Sequence, residues 1–325
     1  MGSHRAAAQE YPVPHPASAA VSDSIRTVLD SSAAGWNRGD LAGYLSLCTD
    51  DVTSNGLNGF VTLWAGPSLG TQALGLTAPM AGDAVREFID QIDAISPESR
   101  EVDVLIHSTG GDGLTAWKLM SELRERFDRV AVFVPFMAFS AATIFALGAD
   151  EIVMHPHASL GPIDPQITIQ LPDGSKPVFA FEDLGAFLRF LNTEVGLSEQ
   201  GPLSTIVDRL FSAVDPVHVG GAKRASELAT DVGERLLQMH MRGDGERERA
   251  RDIAERLNKN FFAHGDAVSR SRARDLQLKI AENNPELESL IWNAYLALES
   301  YMQLRLPFKP AKYFLDNGGA AAVGP

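Results

Sequence analysis

From about residue 59 onward, apolar and polar positions follow two alternating rhythms. Phe60, Val61, Thr62, Leu63 and Trp64 form a short run of strand-forming residues. Residues 84–95 then place Val85, Phe88, Ile89 and Ile92 on one face of an amphipathic helix. Residues 102–106 are apolar enough for a strand buried on both sides. A helix over 114–127, a strand over 130–134, a helix over 141–148 and a strand over 151–154 continue the pattern. Strand–helix alternation at this spacing predicts right-handed crossovers and a mainly parallel sheet.

A polar, proline-containing stretch at 165–177 breaks the rhythm. Helical patterning resumes at 181–195, 203–213, one long segment from about 220 to 258, and 284–304, with a shorter mixed segment at 258–278. Ahead of the core, residues 21–50 carry a helix-like pattern (Val21, Ile25, Val28, Leu29, then Leu41, Tyr44, Leu45). Residues 1–20 are rich in Ala, Pro and Ser without periodicity and are expected to be a mobile lead-in. The expected organisation is therefore a lead-in at 1–20, a helical segment at 21–55, an α/β core at 56–180, and a helical C-terminal region at 181–325 packing on that core.

Composition narrows the partners. The 325 residues include 28 Lys and Arg against 42 Asp and Glu, a formal charge of −14, which argues against nucleic acid or anionic lipid as the main partner. The single cysteine, Cys48, allows no internal disulfide and fits a reducing compartment. No apolar run reaches the roughly 18 residues of a membrane span, and residues 1–4 do not begin a secretory signal. A cytoplasmic location is expected, with no cofactor.

Three segments carry chemistry. In Ile106-His107-Ser108-Thr109-Gly110-Gly111-Asp112-Gly113 a strand runs into a glycine turn and then a helix. Such glycines bring backbone N–H groups close to a ligand, as an oxyanion hole requires, or simply supply a turn of positive φ. In Pro135-Phe136-Met137-Ala138-Phe139-Ser140-Ala141-Ala142-Thr143 a lone serine sits at a strand-to-helix junction, either as a nucleophile or as an ordinary N-cap. The third segment, from Glu151 through His155, Pro156, His157 and Gly161 to Asp164 and Gln166, holds two histidines without a third metal ligand at a convincing spacing. Pro156 argues against a regular strand between them, so no metal site is expected.

Taken in this order, IHSTGGDG, VPFMAFSAAT and ALGADEIVMHPHASLGPIDPQ resemble the serine dehydrogenase proteinase family. That family is grouped with signal-peptide peptidase A and, more distantly, with ClpP and the crotonases. The resemblance is strong over about 59–166 and fainter through DPVHVGGAKR (215–224) and FFAHGDAVSRSRARDLQL (261–278). It implies a Clp/crotonase-like core of stacked βαβ units, a peptide or protein substrate, and a homo-oligomer. It also implies Ser140 as nucleophile, with Gly110, Gly111 and the Ala141 N–H as oxyanion donors.

The general base is the open point. Signal-peptide peptidase relatives use a lysine, which the resemblance would place in a helix downstream of the serine. The helix at 181–197 has no lysine, and its one basic residue, Arg189, cannot give up its proton. Lys176, Lys223 and Lys118 are the lysine candidates. His155 and His157 lie near the ClpP histidine, whereas His264 could approach only through the helical tail. Lys223, Lys176 and His157 are carried forward as candidate bases. Two other readings stand beside the peptidase: a Clp-fold subunit that binds peptides without turning them over, and a crotonase-type enzyme acting on acyl-coenzyme A.

Overall fold

The computed structural model describes residues 60–65, 79–169, 174, 176, 178–196, 200–261 and 263–301. The lead-in and the helical pattern at 21–55 lie outside the described residues. Within them the chain alternates β1 (Phe60–Ala65), α1 (Ala84–Ala94), β2 (Glu101–Ser108), α2 (Gly113–Arg126), β3 (Arg129–Val134), β4 (Met137–Ala138), α3 (Ala141–Leu147), β5 (Glu151–Met154) and β6 (Ser159–Leu160). A two-stranded hairpin, β7 (Ile167–Thr168) and β8 (Val178–Phe179), follows. Helices α4 (Phe181–Thr193), α5 (Gln200–Ala213), α6 (Pro216–Gln238) and α7 (Glu246–Lys259) come next. The chain then returns as β9 (Val268–Ser269), α8 (Arg270–Asp275) and α9 (Pro285–Tyr301).

Seven strands make one sheet in the order β5-β3-β2-β4-β6-β9, with β1 also paired to β2. Every pairing in it is parallel except β6 with β9. This is the mixed α/β architecture, with a mainly parallel sheet and a helical C-terminal region, that the alternating pattern predicts. The two-residue period sorts side chains between two cores. Val102, Val104 and Ile106 of β2 and Val130, Val132 and Val134 of β3 face the helices of the larger core. Leu105, Phe133 and Val153 point the other way and meet Ile291 of α9. Because both faces are covered, β2 and β3 read as continuous apolar runs rather than alternating ones.

Helix ends are tied into the sheet by arginines. Arg126 donates to the carbonyls of Ile92, Ile95 and Ser96 at the C-terminal end of α1. Arg124 pairs with Asp150 at 2.7 Å, and Asp150 accepts from the Val130 N–H at 2.8 Å, joining α2 to the start of β3. Edge-to-face packing of Phe88 on Phe145, with centroids 6.3 Å apart, joins α1 to α3.

The long helical pattern at about 220–258 is two helices. Gly243 and Gly245 fall in the break, and Gly245 takes the left-handed conformation, φ 78°, that a side chain would resist. Helices α6 and α7 consequently fold back on each other. The Asn258 amide bonds Ser226 and Thr230 across the pair, and the Ser226 hydroxyl donates to Glu182 of α4.

Helix α9 is seated on aromatic and imidazole rings. Trp292 stacks on His155 with centroids 4.7 Å apart, and Tyr295 lies 5.4 Å from the His107 ring. Burial pushes both imidazoles down from 6.5 to about 4, for His155 with help from neighbouring His157. Both are thus neutral in the folded chain, while the unfolded chain binds their protons near 6.5. Stability from this contact is complete above about pH 6.5 and is lost as pH falls towards 4. Amide hydrogen exchange should therefore show α9 loosening across that interval, and His155→Phe should weaken the dependence. Exchange in α9 that is flat with pH would refute this.

Candidate active site

β4 ends at Ala138 and α3 begins at Ala141, leaving Ser140 at the corner. Its backbone is at φ 53°, ψ −118°, a costly region for a residue with a side chain. Among the described residues only Gln277 shares a positive φ without being glycine. Although Ser140 occupies the N-cap position of α3, its hydroxyl makes no capping hydrogen bond. The strain is therefore not that of an ordinary helix start.

The surroundings hold this corner in place. Ala142 N–H donates to Phe139 O at 3.0 Å, and Ile144 N–H donates to Ser140 O at 3.0 Å. The buried Thr143 hydroxyl donates to Ala138 O at 2.6 Å and accepts from the Gly161 N–H at 3.0 Å. Phe139 N–H reaches back to Ser108 O at 3.0 Å, linking the corner to the end of β2.

The glycine turn lies directly against the serine. A Cβ on Gly110, whose φ is 111°, would sit 2.7 Å from Ser140 Cβ and 2.8 Å from Phe139 O. On Gly111, φ 152°, it would meet Met80 O at 2.2 Å. Met80 is stitched across the turn, donating to Gly110 O at 2.8 Å and accepting from the Asp112 N–H at 2.8 Å. Asp112 then caps α2 by accepting from the N–H groups of Leu114 and Thr115.

The turn's amides are not equivalent. Gly110 N–H is committed to Ser108 Oγ at 3.0 Å. Among the described residues, the N–H groups of Gly111 and Ala141 have no acceptor. Both of these residues, with Ser140, line a cleft of about 380 Å³. Its apolar lining is Ile144 and Ile163 from the core and Leu228, Ala229 and Val232 from α6.

His264 also lines the cleft. Its Nδ1 is 2.9 Å from Asp164 Oδ1, and the Gln166 amide donates to Asp164 Oδ2 at 2.8 Å. The Asp164 side chain is only 12% exposed, so these two bonds fix the carboxylate. Ile163 N–H donates to Leu257 O at 3.0 Å, which docks the strand-side loop on the end of α7 just before His264. Past the histidine, Arg272 pairs with Asp266 at 3.1 Å and stacks over Phe261 at 4.4 Å, bracketing the segment from both sides.

The lysines named from the sequence are elsewhere. Lys223 projects from α6, half exposed, in a 2.6 Å ion pair with Glu227, with Nζ 5.4 Å from the Phe181 ring. Lys118 pairs with Glu122 along α2, and Lys176 is exposed beside the β7–β8 hairpin. His157 packs on His155 and Trp292 beneath α9. None of the four lines the cleft. The structure thus brings together Ser140, Gly110, Gly111 and Ala141, and adds His264 with Asp164. His264 follows Asp164 by 100 residues, and no local spacing connects them. Only its place in the FFAHGDAV stretch, ahead of the returning strand, hinted at a site.

Among the described residues no group of three or more His, Cys, Asp or Glu side chains could hold a metal ion. No described helix is long and apolar enough to cross a membrane.

Residues 83–179 match the family model of the ClpP-like SDH-type serine proteinases. Two uncharacterized proteins of Methanocaldococcus jannaschii are each 28% identical, over 221 and 208 residues, or 68% and 64% of this chain. The matched parts are 63% and 61% of those relatives, so the chain spans about three fifths of their length. Among solved structures, a mutant of the 1510-N membrane-bound stomatin-specific protease aligns with 71% of this chain and 82% of its own, at 13% identity and a TM-score of 0.41. A second mutant of it, in complex with a substrate peptide, aligns with 70% and 76% at 13% identity and a TM-score of 0.40. The model that residues 83–179 match is that of the family which the three sequence segments resemble.

Gly110→Ala tests how tightly the corner is built. Its Cβ must displace Ser140 and in addition adopt a φ that costs about 1–3 kcal/mol. A fall in unfolding free energy of at least that size is expected by urea titration. Gly82→Ala, where a Cβ meets nothing within 4 Å, should cost far less. Equal stability of the two variants would contradict the packing described.

Proposed function

We propose that this chain is a serine peptidase that cleaves peptide bonds through an acyl-enzyme on Ser140. The observation that carries the reading is the strained Ser140 corner, set in a cleft beside two backbone N–H groups without acceptors. A strained backbone at a residue with an uncommitted hydroxyl marks a functional position more often than a structural one. The match of residues 83–179 to a serine proteinase family model supports the same chemistry.

In this reading the Ser140 oxygen attacks the substrate carbonyl carbon. The carbonyl oxygen, gaining charge, is received by the N–H groups of Gly111 and Ala141. Gly110 serves differently: its own N–H is already bonded to Ser108, and its missing side chain lets the serine approach the turn. Collapse expels the amine, and water then cleaves the ester. The apolar wall of Ile144, Ile163, Leu228 and Val232 favours an uncharged, aliphatic side chain next to the cleaved bond.

Ser140→Ala is expected to abolish peptide turnover and labelling by a fluorophosphonate probe. Wild-type protein is expected to cleave peptides with Leu or Val at that position at least tenfold faster than peptides with Asp or Lys, a difference of about 1.4 kcal/mol. Competition in a mixed peptide library, read by mass spectrometry, measures both. Wild-type protein that binds peptides but takes up no probe and releases no product would overturn the reading in favour of a peptide-binding Clp-fold subunit.

A further inference from the structure

We infer that His240 is a positioning residue: by latching the end of α6 onto the end of α3 it sets the width of the cleft, and so which side chain fits beside the cleaved bond. The inference rests on the Ser140 peptidase reading proposed above. His240 lies in the turn just after α6 and does not itself line the cleft. Its Nε2 is 3.0 Å from the carbonyl oxygen of Leu147, the last residue of α3. A carbonyl only accepts, so the proton of the neutral ring sits on Nε2.

Helices α3 and α6 form a wedge. At its closed end they touch: a Cβ on Gly148 would meet Leu236 Cδ2 at 3.1 Å, and one on Gly233 would meet Leu147 Cδ1 at 3.4 Å. At its open end Ser140, Ala141 and Ile144 share the cleft with Leu228, Ala229 and Val232 of α6. Leu228 precedes Leu236 by two helical turns, about 12 Å, so a small change of angle at the closed end grows into a larger displacement beside the serine. Helix α3 is fixed from its other side, where Arg124 of α2 donates from Nε to Gly148 O at 3.2 Å and pairs with Asp150 at 2.7 Å. The partner free to tilt is therefore α6, and His240 is what holds it.

The latch holds only while the ring is neutral. His240 Nδ1 is buried and has no hydrogen-bond partner among the described residues, so a second proton there meets no acceptor. Burial first of all, then the charges of Lys279 and Arg124, hold the imidazole below its usual 6.5, against the Leu147 carbonyl and Asp150, which favour the proton. A ring that has left this site binds its proton near 6.5. The latch is thus complete above about pH 6.5 and weakens as pH falls below it.

The experiment sets two peptide esters, one with leucine and one with tryptophan at the cleaved bond, in competition for the full-length protein well above pH 6.5. The ratio of their kcat/KM values reports the width of the cleft, because the chemistry they share at Ser140 cancels. The wild-type chain is expected to prefer leucine. His240→Ala is expected to lower that preference about tenfold, mainly through a higher KM for the leucine ester. His240→Gln, whose amide can donate to Leu147 O from nearly the reach of Nε2, is expected to keep it. An unchanged preference in His240→Ala, in protein whose Ser140 still takes up fluorophosphonate, overturns the latch and leaves the nucleophile standing. A wild-type chain that takes up no probe overturns the Ser140 reading and the latch with it.

Should His240→Ala fail to fold, the pH dependence of the same ratio decides. In the wild-type chain the preference for leucine should fall as pH drops below 6.5, whereas His240→Gln, which gains no proton, should hold it level. Titration of groups that serve the reaction slows both esters alike and leaves the ratio untouched. A wild-type ratio that stays constant with pH, or one that falls equally in His240→Gln, refutes the latch.

Discussion

Everything at the cleft depends on one close approach, the seating of Ser140 against the α-carbon of Gly110. Backbone and side-chain atoms of Phe139 and Ser140, just after β4, meet the glycine turn after β2 with room for a hydrogen and for nothing larger. A positive φ at a serine persists only when its neighbours over-determine it. Here Thr143 bolts the corner to Gly161, and Phe139 ties it to Ser108. The Met80 stitch fixes the opposite side of the glycine turn. Release of any one of these would let the serine relax into a common helix start, with its hydroxyl capping α3.

The cleft has two walls of different origin. Its floor is the C-terminal end of parallel strands, where turns naturally present backbone N–H groups. Another part of its lining comes from α6, which Asn258 of α7 holds through Ser226 and Thr230. Helix α6 adds Leu228, Ala229 and Val232 to the cleft that Ser140 lines, and the chain leaving α7 carries His264 in. The helical region thus brings both apolar side chains and an imidazole to a surface that the sheet alone would leave open.

Much of this was legible in the sequence because β2 and β3 are buried on both faces. Val102–Ile106 and Val130–Val134 can be little else than inner strands, and the helices between them have clear apolar stripes. The glycine turn and the serine corner were legible for a related reason: each is a local device, encoded in consecutive residues. The helical tail was harder. Continuous periodicity across 220–258 hid a turn that two glycines make. His264 was harder still, since its partner Asp164 is joined to it only by the return of the chain to β6. The lysines could not be ranked from sequence either, because an i,i+4 glutamate beside Lys223 and Lys118 looks like any helix surface, and on those helices it is one.

The short antiparallel strand β9 has a meaning beyond the cleft. It lies along β6 at one border of the sheet, while at the other border Ile152 of β5 bonds the backbone of Lys279 and Ala281. Both ends of the β5-to-β6 strand path are thus covered by residues between 268 and 281, while β1 forms a separate edge beside β2. Exposed strand borders invite other chains to add to them, and a two-residue strand is a poor template for that. The same short stretch of chain therefore works as insulation at β5 and β6, the two strands it covers. A chain cut short at α7 would retain the serine and the glycine turn, yet present two open borders to its neighbours.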